Sequence, residues 1–240
     1  MMTNLKEKFI SDFIVDERWR YVTGGLKVTL LVTLLALILG CLIGMIIAIV
    51  RCAHDQRGEI EKKTFGNALL DFFNAICKLY VTIIRGTPVL VQLLIMYFII
   101  LVSFKSKVTV AVLTFSINSG AYVSEIFRGG IMAVDKGQME AGRSLGLSYI
   151  QTMIEIIIPQ ALKSALPSLV NELIALLKET SICGYIGLNE LTRGGDIIRG
   201  TTFDALLPLF LVAIIYLLMV LGITAIFGRV ERRLRQSDHR

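Results

Sequence analysis

The stretch 26–50 (LKVTLLVTLLALILGCLIGMIIAIV) is almost wholly apolar, with one charge, Lys27, near its start. About 20 residues of helix cross the hydrocarbon of a bilayer. Lipid satisfies no backbone N–H or C=O, so a spanning segment of this kind must be helical. Further apolar runs lie at 87–103 and 108–128, within 160–184, and at 203–228. A mean hydropathy of +0.70 and a hydrophobic content of 55% exclude an ordinary soluble domain. The expected fold is an all-α integral membrane protein with about five transmembrane helices.

The 25 Lys and Arg outnumber the 19 Asp and Glu, for a net charge of +6. Such an excess can serve nucleic-acid binding. Here the largest basic cluster is the tail Arg229, Arg232, Arg233 and Arg235, which follows the last apolar run. Basic ends stay on the cytoplasmic side, so the C-terminus is expected inside and, after five spans, the N-terminus outside. The partner implied by this charge is the bilayer, with no nucleic acid.

Residues 1–25 form an amphipathic leader with Trp19 and Tyr21 suited to the interface, and no small-residue cleavage site marks a removable signal. The membrane domain covers 26–230, and 231–240 is a basic tail. Residues 51–66 read as a polar loop. Segment 67–85 mixes apolar positions with Asp71, Asn74 and Lys78, so it is expected to lie in the interface. Thr87-Pro88 opens the second span. Pro167 either starts or kinks the fourth, and 185–202 forms a Gly-rich connection. Gly40 and Gly44 make a GxxxG, expected to serve ordinary close packing rather than a dimer seam. Cys41, Cys52, Cys77 and Cys183 form no CxxC pair, and His54 and His239 complete no metal set. No cofactor is expected in this chain.

The insert between the third and fourth spans reads EAGRSLGLSYIQTMIEIIIP over 140–159. Gly146 is suited to ending a helix in the left-handed region. Ser148 and Gln151 match a capping box opening a second helix through Met153–Ile157, which Pro159 limits. The result is a rigid knob of two short helices over 138–158. Glu140, Ala141, Gly142, Gly146, Ile156 and Pro159 are spaced as in the EAA signature of permease subunits of bacterial ATP-binding-cassette importers. Gly142 and Ile158 replace the usual Ala and Leu. The flanks resemble the polar amino-acid branch (histidine, glutamate, glutamine, arginine, opine). RGTPVLVQLLIMYF at 85–98, SGAYVSEIFRGGI at 119–131, NELIALLKETSI at 171–182 and IGLNELT at 186–192 extend the resemblance over nearly all of 78–230.

The resemblance implies that the 138–158 loop is cytoplasmic and couples to a separate ATPase dimer, which binds ATP and Mg. It also implies a second permease subunit, identical or homologous, and an extracytoplasmic amino-acid-binding protein. The implied mechanism is alternating access in the bacterial inner membrane. GDIIRGTT at 195–202 has two glycines of a phosphate loop, but Thr201 stands where the lysine must be. This chain is therefore expected to be no enzyme.

Polar residues within spans are costly in lipid and so mark a pathway. Gln92, Asn118, Ser119, Asn171 and Glu172 are the candidates, with Glu172 meeting a substrate ammonium or a structural partner such as Lys178. Glu125 and Arg128 are expected to form an ion pair. The rival readings are a stand-alone secondary transporter or channel, and a membrane scaffold without transport. The first leaves the knob without a role, and the second leaves Glu172 without one.

Overall fold

A computed structural model describes residues 2–56 and 65–237. The centre of the expected 51–66 loop, 57–64, and the end of the tail, 238–240, lie outside the described residues. The described chain is helical, with no strand among these residues. It opens with α1 (Met2–Phe9), a π turn at Ile10–Ile14 and a short turn at Val15–Glu17, followed by α2 (Trp19–Gln56) and α3 (Phe65–Arg85). Next come α4 (Val89–Ile95), prolonged by a π turn at Met96–Ile100, α5 (Lys107–Met132) and α6 (Lys136–Ser144). α7 (Tyr149–Thr152) passes through a π turn at Met153–Ile157 into α8 (Ile158–Glu179), and α9 (Leu191–Thr202) and α10 (Leu206–Ser237) complete the chain.

Among the described residues, 5 helices are long and apolar enough to cross a membrane: Trp19–Asp55, Phe65–Arg85, Lys107–Met132, Tyr149–Ile186 and Leu206–Arg232. The number agrees with the sequence reading, but the membership does not. The first long helix begins at Trp19, inside the expected leader. α3, expected to lie in the interface, has 21 residues and the length to cross. Of its polar positions, Asn74 is buried, and Asp71, though exposed, lies 3.4 Å from His54 of α2. The expected second span at 87–103 is instead the short apolar helix Val89–Ile100. Its apolar character serves packing, since Leu93 is fully buried.

Pro159 does not end the helix that Ser148 begins. In a regular helix its ring clashes with the carbonyl four residues earlier, that of Glu155. The backbone widens just ahead of it, where the Ile158 N–H bonds to the Met153 carbonyl, so the helix continues. The fourth span therefore starts at Tyr149, before the expected 160, and holds Pro167 inside α8.

The chain divides into two compact units. The first comprises 1–37, 89–115 and 173–226, and the second 38–88, 116–172 and 227–240. Val32, Ala36, Leu93, Phe115, Leu176 and Ile186 form a core of the first unit. There, too, Glu190 caps α9 by accepting from the Thr192 and Arg193 N–H groups at 2.8 and 2.7 Å. The stretch that resembled a phosphate loop, 195–202, is helix.

In the second unit, α2 and α5 run in the same direction. Gly40 faces Ser119 and Gly44 faces Val123, where an added Cβ would come within 3.0 and 2.7 Å of the facing side chain. The GxxxG is thus a seam within the chain. Further along, Arg51 bonds Glu125, and Arg128 reaches Asp55 at 3.6 Å. α3 and α8 run the opposite way, as the His54–Asp71 pair and the approach of Gly130 to Ala161 show. The end of α2, the start of α3 and the 133–148 insert consequently sit at one end of this unit.

Candidate functional site

Two features of the second unit carry functional chemistry. The first is the corner between α6 and α7. Asp135 caps α6, its carboxylate accepting from the Gly137 N–H at 2.7 Å. At the other end Gly146 has φ +87°, the Gly146 N–H bonds to the Arg143 carbonyl at 3.1 Å, and the Leu147 N–H to the Gly142 carbonyl at 3.2 Å. This pair of bonds is a Schellman stop, which an L side chain adopts poorly. One residue later the expected capping box is present: the Gln151 N–H donates to Ser148 Oγ at 3.2 Å, and the Ser148 N–H to Gln151 Oε1 at 2.9 Å. Stop and start together tie down the Gly146, Leu147, Ser148 and Gln151 N–H groups, which stiffens the corner.

Gly142 explains its own departure from the usual Ala. A Cβ there would lie 2.5 Å from Thr152 Cγ2 and 3.2 Å from Ile156 Cδ1. α6 is therefore pressed onto the foot of the fourth span, with Gly142 and Thr152 buried and Ile156 half-buried. Glu140, Ala141, Gly146 and Pro159 are exposed. So are two large apolar side chains that the sequence reading passed over, Leu145 (82%) and Ile150 (66%). Apolar side chains at the tip of a polar corner are a partner-binding signal. In the sequence they look like ordinary helix residues.

The second feature is a cavity of about 440 Å³ lined by groups of α3, α5 and α8, a size common to small-molecule sites. From α8 come Ser164, Ser168 and Glu172, spaced four apart on one helical face. From α5 come Tyr122 and Glu125, and from α3 Arg85, whose guanidinium stacks on the Tyr122 ring at 5.1 Å. Glu172 accepts a hydrogen bond from Ser119 at 2.7 Å, so its partner is Ser119 rather than Lys178. Glu125 is paired with Arg51 and with Arg128.

Of the five expected pathway residues, Ser119 and Glu172 are brought together, and only Glu172 lines the cavity. Asn118 is buried on α5, Asn171 is exposed, and Gln92 belongs to the other unit. Arg85, Ser164 and Ser168 were missed. The four-residue spacing on α8 was the available signal.

A family profile described as binding-protein-dependent transport system inner membrane component matches residues 66–236. The arginine transport system permease protein ArtQ of Bacillus subtilis (strain 168) is 43% identical over 68% of this chain and 76% of its own length. The glutamine transport system permease protein GlnP of Escherichia coli (strain K12) is 40% identical over 72% and 80%. Among solved structures, one described as an amino acid ABC transporter with histidines superposes with a TM-score of 0.78 at 38% identity, covering 91% of this chain and 96% of that one. An inward-facing MetNI methionine ABC transporter shares the fold, with a TM-score of 0.73 at 20% identity over 88% and 95%.

Proposed function

Because the chain belongs to the binding-protein-dependent transport system inner membrane component family, we propose that its α6–α7 corner is where a separate ATPase grips it. The chain is a permease subunit of an amino-acid ATP-binding-cassette importer. The observation that carries the docking site is the doubly capped corner, with Gly146 at φ +87° and Leu145 and Ile150 exposed beside it. A corner fused to the foot of a spanning helix transmits displacement, which a loose loop cannot.

In this reading two ATPase chains bind ATP and Mg, and a second permease subunit completes the membrane pathway. An extracytoplasmic protein delivers the amino acid. Closure of the ATPases pulls the corners together and opens the pathway outward, and hydrolysis resets it. The corner and the C-terminus face the cytoplasm of a bacterial inner membrane, and the N-terminus faces out. The cavity around Glu172 then lies on the amino-acid pathway, and Glu172 meets the substrate ammonium.

Proteoliposomes holding the permease should take up amino acid only when the ATPase and ATP are present. Uptake without them would establish the secondary-transporter alternative. Gly146→Val puts a β-branched residue into the left-handed region. It should reduce ATPase copurification and abolish uptake, and wild-type levels of both would refute the docking site.

A further inference from the structure

The charge inventory of the cavity goes one step beyond the transport reading, and rests on its assignment of the cavity to the amino-acid pathway. An α-amino acid brings one carboxylate and one ammonium. A charge taken out of water must meet an opposite charge or several hydrogen bonds, or binding fails. Arg85 supplies a cation over the face of Tyr122; among the described residues no carboxylate lies within ion-pair distance of it, although Glu172 on the same cavity wall is near enough to attract it. Glu172 supplies a carboxylate, hydrogen-bonded by the Ser119 hydroxyl and drawn toward Arg85 without a direct ion pair. These two groups match the two charges of a zwitterion.

The remaining charge at the cavity is already committed. Glu125 is held between Arg51 and Arg128, with the Arg128 nitrogens 3.1 and 3.3 Å from Glu125 Oε2. Arg128 also reaches Asp55 at 3.6 Å. A cationic substrate side chain therefore finds no free carboxylate, and an acidic one finds no second free cation. What remains for the side chain is the pair of hydroxyls, Ser164 and Ser168, one turn apart on α8.

We infer that this cavity selects α-amino acids with polar, uncharged side chains, Arg85 receiving the α-carboxylate opposite Glu172 and thereby setting specificity. Arg85 can do this because its contact with the Tyr122 ring face anchors the guanidinium while its N–H groups remain available to a carboxylate.

The test is equilibrium binding of labelled amino acids to the purified permease–ATPase complex, without the binding protein, whose own selectivity would mask the cavity's. The probes are L-glutamine, L-glutamine α-amide, L-arginine and L-glutamate. L-glutamine should bind at least about tenfold more tightly than each of the other three, a difference of about 1.4 kcal/mol. Arg85→Gln should raise the half-saturating concentration of L-glutamine about tenfold or more and abolish the preference over the α-amide. Arg85→Lys should restore part of both effects, which a merely misfolded site would not.

Equal or tighter binding of L-arginine or L-glutamate overturns the selectivity. Wild-type binding of L-glutamine by Arg85→Gln overturns the role of Arg85. Absence of L-glutamine binding, or an unchanged half-saturating concentration in Glu172→Gln, removes the cavity from the pathway and this inference with it.

Discussion

Gly142 shows what a single residue decides in this chain. In a helix interior, Ala is favoured over Gly by about 0.8–1.0 kcal/mol. Opposing this, a Cβ at 142 meets Thr152, a buried side chain held by its hydroxyl on the Ser148 carbonyl at 3.0 Å. Overpacking of that kind costs about 1–3 kcal/mol and is the larger effect. Gly142→Ala should therefore lower the thermal stability of the purified complex. Thr152→Ser, which removes the offending methyl and keeps the hydroxyl, should restore it in the double variant. Failure of the rescue would place the cause elsewhere. At this scale Gly146, Ser148 and Gln151 were legible in the sequence, because a stop and a capping box are chemistry between residues a few positions apart. The need for glycine at 142 was not legible, because the atom it avoids belongs to a different helix.

Among the elements, α3 and α4 exchanged their expected roles. Both are apolar, and what separates them is length and surroundings. α3 has 21 residues, whereas Val89–Ile100 is too short to span. The sequence counted Asp71 and Asn74 against α3, but Asp71 faces His54 and Asn74 is buried inside the protein, with its Oδ1 left without a hydrogen-bond partner. The difference is open to labelling. In a background without the native cysteines, Thr87→Cys lies outside if α3 crosses, and inside if 87–103 crosses while α3 lies flat. A membrane-impermeant thiol reagent added to intact cells should modify it, together with Ser103→Cys, and protection of Thr87→Cys alone would restore the interfacial reading. Pro159 belongs to the same scale. Read alone it ends a helix, but the π turn at Met153–Ile157 accommodates it and joins the α6–α7 corner to the fourth span without a break.

For the whole molecule, the exchange of α3 for 87–103 leaves five helices long enough to cross, an odd number that still predicts termini on opposite sides. Thr3→Cys should react with the impermeant reagent on intact cells, and Ser237→Cys only after permeabilisation. The reverse pattern would invert the orientation and place the α6–α7 corner outside, beyond the reach of an ATPase. Membrane class, helical class and the number of helices long enough to cross followed from the sequence alone, because the bilayer imposes a length and a hydropathy that can be read residue by residue. The capped corner followed too, because its bonds are local. Only the tertiary structure decided which apolar segments form helices long enough to span, why the GxxxG faces α5, and how Arg85, Glu125 and Glu172, far apart in sequence, come to line one cavity. Those outcomes depend on which side chains meet across helices. A pattern along one helix names a face, and only packing supplies what lies against it.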